Sequence, residues 1–456
     1  DGLRALRDCE ERHELSGTLH RVFTLALRDA KLAGVALQGE ERERFNAIAL
    51  ELSKLQTDFS NHVLDATKMY RRELRDAADV AGLPRSLLGL LAASAREAGQ
   101  ERATPESGPW VLTLAYPSFV GFMKHSANRA LREELHRAYV TRASSGNIDN
   151  TALLDRILSL RNEKARLLGY DTFAEMSLAS KMAPGVDAVD GLLEELRVAS
   201  IDAARRDVDA LIDLAGEQGA PEAADFRPWD AMFWSERLRE QRFDYREEAL
   251  RRYFPMPRVL EGVFALAKDL FGVTIRERAQ RPPVWHDDVR YFDVLDGSES
   301  VIAGFYFDAF ARPAEKRGGA WMSDVLGRSR DLAPADSDVR NPVAHMVCNG
   351  TPPEGGETAT MTFSEVETLF HEFGHALQHM LTQVDEIQAA GINNIEWDAV
   401  ELPSQFMENW CYHRPTLMGF AKRHDTGEPL PDELFEKIVK ARTFRAGSQM
   451  CRQIGF

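Results

Sequence analysis

The sequence predicts a mainly α-helical protein with one small antiparallel β-sheet, placed late in the chain just before a long amphipathic helix. Three observations lead there. Through most of the first half, apolar residues recur at three- and four-residue steps, the period of a helix face. Short runs rich in β-branched and aromatic residues gather only between Val289 and Cys348, where strands are expected. From Phe363 to Leu381 the helical period returns.

The elements follow in order. Glu41 to Tyr70 reads as one long helix, with Phe45, Ile48, Leu52, Leu55, Phe59 and Val63 in step. Leu153 to Leu168 and Val186 to Leu214 repeat that character. Strict heptads with charged flanks are not sustained, which disfavours a coiled coil. Three strands are expected at Val289–Val294, Val301–Phe307 and Val343–Cys348, separated by Gly- and Pro-bearing loops. The third, residues 343–348, is nominated as an exposed edge able to pair with an extended peptide. That makes Ala344, His345 and Met346 candidate substrate-binding residues. In the final helix Val366, Leu369, Phe370, Phe373, Leu377 and Met380 share a face. Ser364 and Glu367 are spaced as its capping box. The expected division is a helical region over 1–120 and a second region over 121–456, with the site at about 363–413.

Composition narrows the class. Of 456 residues 44% are hydrophobic and 28% charged, as in ordinary globular proteins. The formal net charge of −16 argues against nucleic acid and anionic membranes, whose binders carry basic footprints. No apolar run is long enough to span a bilayer. Cys9, Cys348, Cys411 and Cys451 are widely spaced, which suggests free thiols in a reducing compartment. Asn349-Gly-Thr351 fits a glycosylation sequon and is read as a chance match. The pairs Gly318-Gly319 and Gly355-Gly356 lack a phosphate-loop context and are read as flexible loops. No Ser-His-Asp or Cys-His nucleophile arrangement stands out.

The chemistry concentrates in His371-Glu372-Phe373-Gly374-His375. This is H-E-x-x-H, the zinc-metalloprotease signature. Residues four apart on a helix have Cβ atoms roughly 5–6 Å apart, so two imidazoles can hold one Zn²⁺ at about 2.0–2.1 Å. Glu372 is turned about 100° from His371, beside the metal, where a general base would stand. Gly374 is costly mid-helix by about 1 kcal/mol, so its presence suggests another backbone packed closely there. A catalytic zinc takes three protein ligands and keeps one open position. The metzincin spacing is excluded, because Gln378 and Leu381 hold the required Gly and His positions. His379 lies about 80° round from His371 and is expected to be a polar face residue or an outer partner. His286, His345 and His413 are expected to be structural. Downstream, Glu386, Glu396, Asp398, Glu401 and Glu408 are within reach, and a second helix is expected from Asp398 with Pro403 near its first turn. Glu401 and Glu408, seven apart, share a face, so one could ligate while the other orients a ligand. Asp398 could instead cap that helix with Glu401 as its capping-box partner. Spacing leaves Glu396 and Glu401 as rivals.

Thr368-Leu-Phe-His-Glu-Phe-Gly-His-Ala-Leu-Gln-His379 and Trp397-Asp-Ala-Val-Glu-Leu-Pro-Ser-Gln-Phe-Met-Glu-Asn-Trp410 resemble the thimet oligopeptidase / oligopeptidase A family of zinc peptidases. Matching stretches also occur at 160–170, 177–182, 228–230 and 318–322. Tyr412-His413 and residues 441–447 are more similar to plant-type organellar and cytosolic members than to bacterial ones. The resemblance implies a zincin-like, neurolysin-like fold, with two helical lobes flanking a deep channel. It implies one Zn²⁺ per chain, Glu401 as third ligand, and short peptides cut internally. Glu367 and Glu408 are the candidates to orient ligands. A monomer in the cytoplasm or an organelle such as a mitochondrion or chloroplast is expected. Asp1 is no start residue, and Gln449–Phe456 lacks a helix stop signal. The resemblance then implies a further C-terminal segment carrying a Tyr and a His that bind substrate. Two other readings compete. One is a helical binding module that keeps the metal site without turnover. The other is a zinc aminopeptidase, disfavoured because Met407-Glu408-Asn409 lies downstream of the helix where that class has its element upstream.

Overall fold

A computed structural model of the chain describes residues 5, 16–243, 247–312, 316, 318–350, 352–353 and 358–456. In chain order the main elements are α1 (Gly17–Leu32), α2 (Gly39–Met69), β1 (Arg71–Leu74), α3 (Arg85–Glu97), β2 (Trp110–Thr113), α4 (Tyr116–His125), α5 (Arg129–Val140), α6 (Thr151–Leu167), α7 (Val186–Glu217) and α8 (Pro228–Phe243). Then come α9 (Met256–Phe271), β3 (Thr274–Glu277), β4 (Arg290–Leu295), β5 (Val301–Phe310), β6 (Trp321–Leu326), β7 (Val343–Gly350), α10 (Phe363–Met380), α11 (Leu402–Glu408), α12 (Arg414–Phe420), α13 (Asp432–Ala441) and α14 (Ala446–Ile454). The protein is mainly helical, and the long helices and three strands expected from periodicity all form. No helix among the described residues is long and apolar enough to cross a membrane.

The chain forms two compact units that interleave in sequence. One comprises Asp1–Val35, Ser177–Pro184 and Tyr245–Arg442, and the other Ala36–Met176, Gly185–Asp244 and Thr443–Phe456. Residue 120 falls inside the second. That unit holds a short antiparallel pair, β1 with β2, within an otherwise helical stretch. Leu91, Leu112 and Phe122 are fully buried there. Its ionic centre is Arg132, which donates to Asp230 at 3.0 Å and to Glu222 at 3.1 Å. Arg132 and Asp230 have no exposed surface, so each charge depends on the other.

The first unit carries the sheet, in the order β3-β4-β5-β7-β6. It is mixed, which corrects the all-antiparallel expectation: β5 and β7 run parallel, because β6 and a long loop lie between them and carry the chain back. The nominated edge is corrected too. β7 is interior, paired on both sides, and the edge is β6. Ala344 and Met346 point into the core with no exposed surface, so neither can meet a substrate. Sequence reasoning passed over β6 because Trp-Met-Ser-Asp-Val-Leu shows no clean alternation.

Alternation along the strands builds the core. Phe292, Phe305, Phe307, Ala344 and Met346 face α10, whose Val366, Leu369, Phe370 and Phe373 have no exposure. The ring of Phe373 lies 6.1 Å from that of Phe305. Burying each such side chain contributes roughly 1.5–3 kcal/mol, so α10 is fixed by its apolar surface. The opposite sheet face holds His345, edge-on to Trp285 at 4.6 Å, and buried Asp308. Burial pushes the Asp308 carboxyl upward. Hydrogen bonds from Arg312, Lys316 and the Trp285 indole outweigh that and hold it at about 2. His345 thus lies on the sheet face away from α10. Cys348, Cys411 and Cys451 are free thiols. Cys9, Thr351 of the sequon and the Gly355-Gly356 pair lie outside the described residues.

Candidate metal centre

Helix α10 begins with a capping box displaced by two residues from the expected one. Thr362 accepts from the Glu365 amide at 3.1 Å, and Glu365 accepts from the Thr362 amide at 2.6 Å. Two turns on, His371 and His375 project from one face with ring centroids 5.1 Å apart. The chain then leaves α10 and runs through a loop with only a short 3₁₀ turn, 387–389. It returns at Glu401, the residue before α11, with Pro403 in the first turn. The helix expected from Asp398 therefore begins four residues later, at Leu402. The Asp398 carboxylate caps no helix. It accepts from the Met182 and Ala183 amides at 2.9–3.1 Å.

The Glu401 carboxylate oxygen Oε2 stands 3.2 Å from Nε2 of His371 and 3.2 Å from Nε2 of His375. These three are the group of His, Cys, Asp and Glu among the described residues that could hold a metal ion, with ligand atoms within 4.8 Å of one another. Two ligands on a tetrahedral zinc at about 2.0–2.1 Å would sit roughly 3.3 Å apart, so the donor set and spacing fit that ion. Glu396, the rival carboxylate, is turned away to Arg21 at 3.1 Å. His379 is fully buried and bonds the Leu326 carbonyl at 2.9 Å. It therefore ties α10 to β6 and stands outside the group.

Glu372 sits beside this group, 5% exposed, with Oε2 buried and without a partner among the described residues. Burial pushes its carboxyl up to about 7. The Glu401 charge adds to this and His371 opposes it. Burial likewise lowers the pKa of His375, favouring the neutral ring that a metal needs. Glu408 reaches Nδ1 of His371 at 2.6 Å. With Nδ1–H donating to that carboxylate, Nε2 presents its lone pair toward Glu401 and the metal position. Glu367 accepts from the Tyr412 hydroxyl.

Residues 122–456 match Peptidase family M3. The chain belongs to that family. It is 55% identical over its whole length to organellar oligopeptidase A, chloroplastic/mitochondrial, of Arabidopsis thaliana, covering 58% of that protein. Oligopeptidase A of Haemophilus influenzae is 41% identical over 99% of this chain and 65% of its own. A dipeptidyl carboxypeptidase of Escherichia coli is 33% identical over 92% of this chain and 59% of its own. The plant-type members are thus closer than the bacterial ones. The chain spans about three-fifths of the length of these relatives.

Two features of this M3 chain join α10 to α11. A Cβ on Gly374 would lie 2.5 Å from the Pro403 carbonyl oxygen and 2.7 Å from the Ser404 Cα. The expected close backbone is therefore the start of α11, the segment that delivers Glu401. Ser404 was missed from sequence. Fully buried, its hydroxyl donates to the Glu401 carbonyl and Oε2, at 2.9 and 2.8 Å. A small hydroxyl three residues after a carboxylate at a helix start is a local signal that could have marked it.

Proposed function

We propose that this chain is the metal-bearing part of a zinc metallo-endopeptidase that cuts internal bonds of short peptides. One observation carries the reading: two imidazole nitrogens and a carboxylate oxygen converge on one point, with a buried carboxylate beside them. His371, His375 and Glu401 would hold one zinc per chain. Bound there, zinc would lower the pKa of water toward about 7 and polarise the scissile carbonyl.

The protein's own groups do the rest. Glu372 takes the proton of the attacking water and returns it to the leaving amine. Glu408 fixes the tautomer and orientation of His371. Ser404 holds the Glu401 carboxylate by its second contact. An extended substrate would pair with the edge strand β6, which the His379–Leu326 bond ties to α10. A deep channel, as the family resemblance implies, would restrict substrates to short peptides. We infer a monomer with no nucleic-acid or membrane partner, given the net charge of −16. Two relatives in Arabidopsis thaliana, one named for the chloroplast and mitochondrion and the other, 53% identical, for the cytosol, favour an organelle or the cytosol.

The dipeptidyl carboxypeptidase relative supports a second reading, removal of C-terminal dipeptides. Elemental analysis and an internally quenched peptide blocked at both ends test the set, on the chain and on Glu372→Gln. We expect one zinc in both, and turnover that falls by about 10²–10⁴-fold in the variant. Cleavage of a companion peptide with a free C-terminus and blocked N-terminus, but not of the doubly blocked one, selects the second reading. Zinc without turnover selects a metal-bearing module, and absence of zinc overturns the proposal.

A further inference from the structure

The third ligand of the metal centre, the Glu401 carboxylate, hangs on a loop that has little regular structure of its own. From Leu381 to Glu401 the loop contains one 3₁₀ turn, so its path is set by what it is tied to. At its near end Asp385 pairs with Arg328 at 2.8 Å and Arg330 at 2.5 Å. In its middle, Gly391 adopts φ +64° with its α-carbon against the His379 backbone, where a Cβ would meet Cα at 2.9 Å. At its far end two ties come from distant parts of the sequence. Arg21 on α1 donates to the Asn394 carbonyl at 3.0 Å and to both Glu396 oxygens at 3.1 Å. Asp398 accepts from the Met182 and Ala183 amides.

We propose that Asp398 and the Arg21–Glu396 pair are a latch that positions Glu401, so that α1 and the 177–184 segment set metal affinity without touching the metal. The inference rests on the zinc reading above. The physical case is direct. Asp398 lies three residues before Glu401, so its placement leaves the ligand little slack. Its oxygens accept from two consecutive backbone amides, charge-assisted bonds whose donors cannot swing away as a side chain could. Those bonds hold the carboxyl below the usual carboxylate range, and Arg21 does the same for Glu396. The adjoining backbone continues the constraint: Ala399 N donates to Glu396 O at 2.9 Å, and Leu402 N to Ala399 O at 3.1 Å. Latch and ligand thus belong to one hydrogen-bonded stretch. Glu396 and Asp398, candidates for the metal by spacing, serve it as positioning residues.

The test compares zinc binding by chelator competition in the wild-type chain, Asp398→Ala and His375→Ala. Asp398→Ala should stay folded by far-UV circular dichroism and bind zinc about tenfold more weakly, within the range of outer-sphere losses. Its Co²⁺-substituted form should show a shifted visible spectrum, which a purely structural role would leave in place. Unchanged affinity and spectrum in a folded Asp398→Ala overturn the latch. If Asp398→Ala does not fold, Arg21→Glu decides with the double variant Arg21→Glu/Glu396→Arg. Recovery of affinity in the double variant supports the latch, and no recovery overturns it. A wild-type chain that binds zinc no better than His375→Ala defeats the metal reading itself, and the latch with it.

Discussion

The two halves of the metal centre are built on opposite principles. Helix α10 brings His371 and His375 from inside the core, with Phe370, Phe373 and Ala376 fully buried around them. The stretch from Leu381 to Glu401 brings the third ligand along the surface, and the Glu401 side chain is itself 51% exposed. The helix is held by shape and apolar area. The loop is held by ion pairs and amide–carboxylate bonds. One half should therefore respond to changes of volume and hardly to salt, the other to changes of charge.

The sharpest way to break that contrast is Phe373→Ala. The ring is fully buried against Phe305 and Phe264, so its loss should cost about 3–5 kcal/mol, read as a lower denaturant midpoint. A cost below about 1 kcal/mol would mean that α10 is not anchored by its core face. Gly374→Ala comes next and probes the seam between the halves. Helix propensity favours Ala by about 1 kcal/mol. Against it stands a Cβ 2.5 Å from the Pro403 carbonyl, a backbone neighbour that cannot rotate aside. Overpacking of this kind costs about 1–3 kcal/mol, so the clash wins and zinc affinity should fall as α11 is pushed away. A stabilised variant with unchanged zinc affinity would show that the seam is loose. The smallest effect belongs to Asp385→Asn in the loop. Its pairs with Arg328 and Arg330 are partly exposed, and such pairs contribute about 0.2–1 kcal/mol. That difference should shrink in 1 M salt, where charges are screened beyond about 3 Å. The Phe373→Ala difference should not change with salt, and equal salt dependence in both would erase the contrast.

What was legible follows the same line. The face of α10, the His371–His375 pair, Glu408 on the Glu401 face and the close approach at Gly374 all come from spacing along one helix or across one turn. The capping box was misplaced by two residues because Ser364–Glu367 and Thr362–Glu365 both satisfy the pattern, and only the point where the backbone turns extended selects one. The edge strand was misassigned for a deeper reason. Val343–Gly350 has the look of a strand, but its neighbours are set by where the chain returns after β6, and the alternation of Ala344, His345 and Met346 is the same at an edge or in the interior.

By itself the sequence determined a mainly helical chain and the position of two imidazoles with a carboxylate beside them, because helical period and four-residue spacing are local properties. Only the tertiary structure decided that β7 is interior, and that Glu396 and Asp398 turn away to Arg21 and to the 182–183 amides, whereas the family resemblance already names Glu401. Those carboxylates are chemically alike and close in sequence. What separates them is which partner each one meets: Glu396 and Asp398 meet donors 375 and 216 residues away, brought there by packing, whereas Glu401 meets the imidazoles of α10.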